Sequence, residues 1–290
     1  MISIIQLGTV DYATGVRLQQ QLVALRKEEK NGDVLLLLEH KPVITLGRNA
    51  KAANVIASSE LLTQRGVELF ECDRGGDVTF HGPGQLVGYP IFDLREYTRD
   101  AADCLGLGQG SLSSTMRKTL GAVDFVRILE EILIRTCADF GIPTKRVPGL
   151  TGVWTDVTEH HFRPEDDTKE KAALAAKVSE RKLAAIGVHI SRSVTSHGFA
   201  LNVNTDLSYF DLIVPCGITS KPVTSMQREL GRELDLNAVA ESVSRNFGVV
   251  FQSQMLWRDT LDALLGRTVD VPMQPPEELR QLHRDDTHRA

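Results

Sequence analysis

The sequence predicts an α/β or α+β fold, in which a mixed, mostly antiparallel sheet is flanked by helices. Two observations support this class. Short apolar runs bounded by Gly, Pro, Asn or Ser outnumber amphipathic helical stretches up to roughly residue 220, and the helical stretches lie between these runs. The chain also has enough apolar material for a sizeable core, since 42% of its 290 residues are hydrophobic and 24% are charged.

The first elements alternate between strand and helix. Ile2–Leu7 is predicted as a strand, and Tyr12–Lys30 as an amphipathic helix that Asn31-Gly32 ends. Asp33–Glu39, with the sequence DVLLLLE, is a continuous apolar run, so we expect a strand that is buried on both faces. Val43–Leu46 is predicted as a further short strand.

The next part of the chain surrounds a glycine-rich segment, Arg74–Gln85. Five of its twelve residues are Gly or Pro, although an apolar strand is predicted on either side of it, at Val67–Glu71 and Leu86–Leu94. Ser58–Gln64 before it is predicted as a short helix, and Val78–Phe80 within it as a short strand. Two interpretations of the segment stay open, a hairpin with a polar tip or bare backbone that approaches a ligand closely.

Two segments interrupt this rhythm, and both are predicted as surface insertions. The first, near residues 98–121, is rich in Gly, Ser and Thr, and the second, near residues 157–181, is rich in charge. Between them lies the clearest helical pattern of the chain, an apolar stripe at Phe125, Leu129, Leu133 and Cys137. Because Cys137 lies on this stripe, its thiol is expected in the core. Gly152–Trp154 is interpreted as a strand edge.

The last part of the chain is predicted to contain an antiparallel strand pair followed by two helices. The strands are Lys182–Ile190 and Thr195–Val203, the apolar run Asp211–Cys216 then leads to Gly217, and the helices are Leu236–Val249 and Gln254–Leu265. From Pro272 onward the chain is charged and poor in large apolar residues. We therefore expect one domain over residues 1–270, with the two insertions on its surface, and a poorly ordered tail over residues 271–290.

Composition argues against several classes of protein. A formal net charge of −5 disfavours a general nucleic-acid binder, and no apolar run approaches the roughly 20 residues that span a bilayer. The cysteines form no C-x-x-C pair, which argues against a zinc site and against a disulfide framework; they are Cys72, Cys104, Cys137 and Cys216. The start of the chain lacks the basic segment of a signal peptide, so we expect a cytoplasmic protein.

Cys216 is the candidate nucleophile. Pro215 before it fixes the approach of the chain, and Gly217 after it leaves the next N–H free as an oxyanion donor at the end of a predicted strand. The alternative is a buried structural thiol. A nucleophilic thiol reacts as its thiolate and needs a cation or a base beside it. The candidate partners are Lys182, His81 and His197, and a papain-like Cys/His arrangement stays open.

Three separated motifs, in one order, resemble a single family. They are RGGDVTFHGPGQLVGYP from Arg74, KLAAIGVHI from Lys182 and SHGFALNVNTDLSYFDLIVPCGI from Ser196. Together with the upstream LGTVDYATGVRLQQ and LLLLEHKPVITLGRNAKAANV, they resemble the octanoyltransferases of lipoate biosynthesis, the lipoyl(octanoyl) transferases. The resemblance covers roughly residues 5–250 apart from the two insertions, the second of which lies just before Lys182.

The resemblance implies the fold of the biotin and lipoate protein ligases and the transfer of an octanoyl group from octanoyl-acyl carrier protein to a lysine of a lipoyl domain. The implied acceptors are lipoyl domains of 2-oxoacid dehydrogenases and the glycine cleavage H protein. Cys216 falls on the family's acyl-thioester cysteine, and Lys182 falls on its activating lysine. The implied substrate pocket falls on Arg74, Gly75, Gly76, Asp77, Val78, Thr79, Phe80, His81, Ala185, Ile186, Gly187, Gly198, Phe199 and Ala200.

The chemistry of such a transfer is consistent with these residues. Exchange of one thioester for another is nearly even and the step from thioester to amide is downhill, so no ATP, metal or other cofactor is expected. Lys182 would stabilise the thiolate and later act as base for the incoming amine. An apolar wall for the acyl chain is expected from Val78, Phe80, Ile186 and Phe199. We expect His81 to line the pocket, with proton shuttling as the alternative.

Three other functions stay open. An ATP-dependent lipoate or biotin protein ligase has the same fold but needs no nucleophilic cysteine. An octanoyl amidotransferase that moves the group between lipoyl-bearing proteins would differ in its donor, and an inactive scaffold would only bind lipoyl domains. Because both protein partners of the family are acidic, a basic patch is expected at the pocket mouth, with Lys145, Arg146 and Arg192 as candidates.

Overall fold

The computed structural model describes residues 1–97, 119–156, 180–217 and 221–265. The strands are β1 (Ile2–Val10), β2 (Asp33–His40), β3 (Val43–Leu46), β4 (Glu68–Glu71), β5 (Val78–His81), β6 (Gln85–Ile91), β7 (Thr144–Val147), β8 (Leu150–Thr155), β9 (Lys182–Ser191), β10 (Val194–Asn202) and β11 (Met255–Arg258). Eight of them form one sheet in the order β11-β1-β2-β6-β10-β9-β8-β7. Only the pairs of β1 with β2 and with β11 are parallel among these neighbours, which confirms the predicted mixed, mostly antiparallel sheet.

The three remaining strands form a small second sheet in the order β4-β3-β5. β3 pairs parallel with β4 and antiparallel with β5. One face of this sheet packs on the 3₁₀ segment Leu207–Leu212 through Ile44, Val78, Phe80 and Phe210. The small sheet therefore holds the glycine-rich segment and the chain that leads to Cys216 in one packed unit.

The helices cover both faces of the large sheet. They are α1 (Tyr12–Lys27), α2 (Ser59–Gln64), α3 (Ala122–Asp139), α4 (Met226–Leu230), α5 (Leu236–Val250) and α6 (Asp262–Leu265). α3 and α5 bury their apolar stripes on one face, and α1 packs on the other. Leu35 and Leu37 of β2 belong to the first core and Leu36 and Leu38 to the second, which confirms a strand buried on both faces.

Local signals fix the ends of α1. The Asp11 carboxylate accepts a hydrogen bond from Thr14 N at 2.8 Å and so caps the first turn. The helix ends at Lys27, three residues before the predicted end, and Glu29 beyond it has a φ of +56°. A residue in this left-handed region cannot continue a right-handed helix.

Cys137 lies in the core, as its helical spacing predicts. Its side chain on α3 is fully buried, and burial raises the pKa of its thiol to about 12. Such a thiol is unreactive at neutral pH.

The prediction of a helix over Gln254–Leu265 is wrong for most of that range. Met255–Arg258 instead forms the edge strand β11, which runs parallel to Ile2–Ile5 of β1, and only Asp262–Leu265 is helical. A four-residue apolar run does not distinguish helix from strand, and pairing with the first strand of the chain decides the outcome.

Two shorter interpretations also need correction. Asp211–Cys216 is not a strand, because the chain forms 3₁₀ segments at Leu207–Leu212 and Pro215–Gly217 with only an isolated bridge at Ile213. Gly152–Trp154 lies inside β8, which has β9 on one side and β7 on the other. Among the described strands, β7 forms the edge at this side of the sheet, and the sequence did not predict it.

Several predictions lie outside the described residues. These are nearly all of both insertions, the tail over residues 271–290, and Cys104. Within residues 1–97, 119–156, 180–217 and 221–265, no helix has the length and hydrophobicity needed to cross a membrane. The same part of the chain contains no group of three or more His, Cys, Asp or Glu side chains arranged to hold a metal ion.

Candidate functional site

The structure brings Lys182 and Cys216 into contact. Lys182 is the first residue of β9, and its Nζ donates a hydrogen bond to Cys216 Sγ at 3.1 Å. The ammonium is buried at 8% exposure and also lies 5.3 Å from the ring centroid of Trp154, which sits on the neighbouring strand β8. A cation with so little access to water stabilises a thiolate beside it. This pair is the candidate chemical centre of the site.

Cys216 lies in a tight turn with a strained backbone. Its φ is +56° and its ψ is +19°, a left-handed conformation that costs a side-chain-bearing residue about 1 kcal/mol. Gly217 has a φ of +67°, and its N–H donates to Val214 O at 3.1 Å. The prediction that the Gly217 N–H is free as an oxyanion donor is therefore wrong, because the turn itself uses this group.

Asp77 and Asn54 hold this turn in place. Asn54 O accepts a hydrogen bond from Val214 N at 2.7 Å, and the Asn54 amide donates to Asp77 Oδ2 at 2.6 Å. A Cβ added at Gly217 would lie 2.8 Å from Asp77 Oδ2. The glycine-rich segment and the cysteine turn are thus fixed to each other, and only glycine fits at the closest point.

A pocket of about 280 Å³ opens beside the pair. Most of the residues assigned to it from the sequence line it, together with Lys182 and Cys216. They are Arg74, Gly75, Gly76, Asp77, Thr79, His81, Ala185, Ile186, Gly187, Gly198, Phe199 and Ala200. The two strands of the β9–β10 hairpin and the glycine-rich segment thus enclose a single space.

Val78 and Phe80 do not line this pocket, contrary to the sequence analysis. Side chains alternate between the two faces of a strand, so Thr79 and His81 of β5 face the pocket while Val78 and Phe80 face the opposite side. There the Phe80 ring stacks on the Tyr209 ring at a centroid distance of 4.6 Å. These two side chains support the wall from behind.

Bare backbone forms part of the pocket wall. Gly75 N donates to Val188 O at 3.1 Å, and a Cβ at Gly187 would lie 2.5 Å from Gly75 O. A Cβ at Gly198 would lie 2.2 Å from Gly88 O on the neighbouring strand. The glycines therefore let the strands and the glycine-rich segment approach one another closely, and this part of the wall carries no side chains.

Arg74 serves the structure of this wall. Its guanidinium is buried, and it donates from Nε to Thr45 Oγ1 at 3.0 Å and from Nη2 to Thr45 O at 2.6 Å. The side chain thereby ties the glycine-rich segment to β3.

His81 is a neutral part of the wall. Its Nδ1 lies 2.7 Å from Gln85 Oε1, and since an amide oxygen only accepts, Nδ1 carries the proton. Burial lowers the pKa of His81 well below its usual value of 6.5. This environment favours the expected lining role over proton shuttling.

His197 is not the partner of Cys216. It lines the same pocket, but its Nε2 is hydrogen-bonded to Asp73 Oδ1 at 2.7 Å. Six further lining residues were not predicted from the sequence; they are Tyr12, Val87, Tyr89, Gly149, Leu150 and Thr151. Tyr89 follows Val87 at the spacing of two that puts both on one face of β6, a signal that was available in the sequence.

The predicted basic patch is weakened by ion pairs. Lys145 Nζ lies 3.1 Å from Asp156 Oδ1, and Arg146 Nη2 lies 2.8 Å from Glu131 Oε2. These two cations are thus neutralised locally, whereas Arg192 lies in the turn between β9 and β10.

Gly152 controls the position of the Lys182 side chain. Its φ is +124°, its N–H donates to the buried Glu130 Oε1 at 3.0 Å, and a Cβ there would lie 2.9 Å from Lys182 Cε and 2.5 Å from Ala184 O. A side chain at this position would therefore both strain the backbone and push the ammonium away from Cys216.

Gly152→Ala is expected to slow alkylation of Cys216 by iodoacetamide by roughly tenfold, because a displaced ammonium no longer stabilises the thiolate. The free energy of unfolding should fall by about 2 kcal/mol from the strained φ. The rate is measured by intact-protein mass at neutral pH. Gly231→Ala is the control, since its φ is +68° with nothing within 4 Å of the added Cβ, and an equal loss of alkylation in both variants would contradict the explanation.

Comparison with known proteins gives a consistent assignment. The family described as "Lipoyl protein ligase A/B catalytic domain" matches residues 11–248. A protein of Koribacter versatilis named octanoyltransferase is 55% identical and covers 99% of both chains, and one of Acidobacterium capsulatum with the same name is 51% identical over 91% of this chain and 96% of its own.

Among solved structures, the bipartite lipoate protein ligase of Thermoplasma acidophilum is similar with a TM-score of 0.60. Its identity is 13%, and the match covers 91% of this chain and 90% of that one. This likeness supports the ligase-like fold alone. Taken together, the family match and the extensive identity lead to one conclusion, that the chain belongs to the octanoyltransferases within the lipoyl protein ligase A/B family.

Proposed function

We propose that this protein is an acyltransferase that moves an octanoyl group from octanoyl-acyl carrier protein to a lysine of lipoyl domains, through a thioester on Cys216. The observation that carries the proposal is the 3.1 Å contact between Lys182 Nζ and Cys216 Sγ beside a pocket of about 280 Å³. The names of the relatives support the octanoyl group as the cargo.

The first half of the reaction loads the enzyme. The Cys216 thiolate attacks the carbonyl carbon of the donor thioester, a new S–C bond forms, and the bond to the carrier thiol breaks. The departing carrier thiolate takes a proton from the Lys182 ammonium. Lys182 is left as a neutral amine next to the acyl-enzyme.

The second half transfers the group to the acceptor. The acceptor lysine attacks the thioester as a free amine, and Lys182, now neutral, accepts the proton that this amine loses. The C–N bond forms while Cys216 departs as a thiolate. The cycle ends with the ammonium and thiolate restored, so the protons balance without ATP.

The acyl chain is proposed to lie between the β9–β10 hairpin and the glycine-rich segment. Val87 and Tyr89 of β6 and Ala200 of β10 supply apolar surface there, and the affinity of a fatty acyl group comes mostly from such surface. The side chains of Ile186 and Phe199, expected from the sequence to form this surface, pack instead in the core on the opposite face of the sheet. The roles proposed for the other lining residues follow from their position on this wall, with Arg74 and Asp77 holding the segment rather than the substrate.

The acceptors are proposed to be the lipoyl domains of 2-oxoacid dehydrogenases and the glycine cleavage H protein. The compartment is proposed to be the cytoplasm, because a mechanism through a free thiol needs reducing conditions. Residues 1–270 are proposed as one domain with residues 271–290 as a tail, since the large sheet draws strands from Ile2 to Arg258.

The experiment is intact-protein mass after mixing the protein with octanoyl-acyl carrier protein in the absence of ATP. We expect one octanoyl adduct that hydroxylamine removes and that disappears when an apo lipoyl domain is added. If no adduct forms, and the lipoyl domain is modified only when ATP and free octanoate are supplied, the protein is a ligase and the proposal fails.

A further inference from the structure

A second cavity lies behind the acyl pocket, and one residue lines both. We call it the rear cavity; its volume is about 360 Å³. It is bounded by one face of α1, by the outer end of the β9–β10 hairpin and by Asp73. His197 is the residue common to the two spaces.

The pairing of β9 with β10 shows that the acyl pocket and the rear cavity follow one another along the hairpin. Starting from the Lys182 end of β9, Ala200 lies opposite Ala185, Gly198 opposite Gly187 and His197 opposite Val188. Ala185 and Val188 are separated by about 10 Å at roughly 3.3 Å per residue, a length comparable to an extended octanoyl chain. His197 is therefore the last residue of β10 to line the pocket, counted from the Lys182–Cys216 pair.

The same order holds on the other elements. Tyr12 at the start of α1 lines the acyl pocket, while Val16 and Gln19 further along the helix line the rear cavity. Arg74 faces the acyl pocket and Asp73 the rear cavity. Three separate segments thus cross from one space to the other at the level of His197.

The rings of Tyr12, Tyr89 and His197 close the far end of the acyl pocket, but they differ in what is packed behind each ring. The Tyr12 ring packs on His40 and Phe70 with centroid distances of 5.0 and 4.9 Å, and the Tyr89 hydroxyl is 2.6 Å from His40 Nε2. Tyr12 and Tyr89 therefore have packed protein behind them. The His197 ring, edge-on to Tyr89 at 6.3 Å, has the rear cavity behind it.

The His197 ring is held in place from the rear cavity. Its Nε2 bonds to Asp73 Oδ1 at 2.7 Å, and its backbone N–H donates to Gln19 Oε1 at 2.6 Å. The backbone φ of +56° is strained for histidine in the middle of a strand. Burial lowers the pKa of His197, so the ring is uncharged at neutral pH and suits the end of an apolar pocket.

Two residues that line the rear cavity carry buried polar groups without partners. Gln19 is 2% exposed, and its amide nitrogen and His197 Nδ1 have no hydrogen-bond partner within the described part of the chain. The fold alone therefore leaves these two buried groups unsatisfied.

We propose that the His197 ring ends the acyl pocket and limits the acyl group to about eight carbons, and that removing the ring joins the pocket to the rear cavity. The inference rests on the proposed function for the identity of the cargo. Longer chains are excluded because the ring stands between the two spaces, as the one residue among the described ones that lines both.

The test is His197→Gly, assayed with octanoyl-, decanoyl- and dodecanoyl-acyl carrier protein. Glycine adopts a positive φ without strain, so the variant keeps the backbone conformation while losing the ring. We expect kcat/KM for decanoyl relative to octanoyl to rise roughly tenfold, from two further buried methylene groups. His197→Asn, with a short side chain that also tolerates this backbone, is expected to give a smaller shift in the same direction.

The control fills the rear cavity from the other side. Ala24 of α1 lines the rear cavity and not the acyl pocket, so Ala24→Phe alone should leave octanoyl transfer unchanged. Combined with His197→Gly, it should cancel the gain with decanoyl and dodecanoyl donors. Such a loss of the gain would show that the carbons beyond the eighth occupy the rear cavity in His197→Gly.

Folded His197 variants that transfer octanoyl groups with the wild-type chain-length preference would overturn the proposal. Failure of the proposed function has a different signature, since the wild-type protein itself would then form no octanoyl adduct without ATP. Calorimetric binding of free octanoate and dodecanoate to the wild-type protein and both variants gives the length preference without any transfer. Equal preference in all three proteins would again refute the role of His197.

Discussion

Cys216→Ala is expected to abolish the octanoyl adduct and to lower transfer to a lipoyl domain on the order of 10⁴-fold or more. In the proposed mechanism, the sulfur carries the acyl group from the carrier protein to the lipoyl domain. Without it, the acceptor amine would have to attack the carrier-bound thioester directly. Intact-protein mass and transfer to an apo lipoyl domain measure the two effects on one sample.

Cys72→Ala is the matched control for this loss. Cys72 is a half-buried free thiol like Cys216, but it lies outside the pocket lining, and its thiol donates to Leu46 O at 3.5 Å. The variant should retain both the adduct and transfer. If the adduct survived in Cys216→Ala and disappeared in Cys72→Ala, Cys72 would be the nucleophile and the proposed mechanism would be wrong.

The strained backbone of Cys216 adds a prediction about stability to the same experiment. Its φ of +56° suits glycine, so Cys216→Gly should be more stable than Cys216→Ala by about 1 kcal/mol in the free energy of unfolding. Both variants lack the sulfur and should be equally inactive. Equal unfolding midpoints in urea would mean that the turn relaxes once the cysteine is replaced.

The parts of the fold that the sequence predicts well are those defined by neighbouring residues. The β9–β10 hairpin is an example, because two alternating runs are joined by Arg192-Ser193 and can hardly pair with anything else. The two-sided burial of β2 follows in the same way from an unbroken apolar run. By contrast, β11 pairs with Ile2–Ile5 across nearly the whole chain, and no local pattern contains that information.

The same distinction applies to the site. Lys182 and Cys216 are 34 residues apart, and their contact depends on a 3₁₀ turn held by Asn54, so spacing alone left three partners open for the thiol. Only the resemblance to a family selected Lys182. The resemblance in turn assigned every residue from Arg74 to His81 to the pocket. In β5, however, successive side chains point to opposite faces of the strand, so Val78 and Phe80 point away from the pocket.

The role proposed for His197 at the end of the pocket could not be predicted from the sequence, because it depends on the space behind the ring. From the sequence alone, a histidine in a strand with alternating apolar residues is interpreted either as a general base or as a buried core residue. The rear cavity is formed by α1 and Asp73, which are distant in sequence from the hairpin. Neither a motif nor a periodicity predicts an empty space.

Lys182→Met is expected to slow both halves of the reaction, by roughly 10²–10⁴-fold for each proton-transfer role that the lysine has. Methionine fills a similar volume beside Trp154 but has neither charge nor proton. Loading of Cys216 should slow because the thiolate loses its cation, and transfer should slow because the acceptor amine loses its base. Single-turnover mass measurements separate loading from transfer when isolated acyl-enzyme is used for the second step.

Lys182→Arg separates the two roles. Arginine keeps the positive charge but does not lose its proton at any accessible pH, so it can stabilise the thiolate and cannot act as base. Loading should stay within about tenfold of the wild-type rate, while transfer should fall about as far as in the methionine variant. If Lys182→Arg retained the transfer step, Lys182 would not be the base for the acceptor amine. Its role would then be purely electrostatic.

Lys221 provides the control that distinguishes contact from general charge. Its Nζ lies 5.9 Å from the same Trp154 ring, but it is paired with Glu180 at 2.5 Å and does not bond to Cys216. Lys221→Met removes one positive charge from the same region and should leave both rates near the wild-type values. If it slowed loading as much as Lys182→Met does, the local positive potential rather than the 3.1 Å contact would be the source of the thiolate, and the pairwise mechanism would fail.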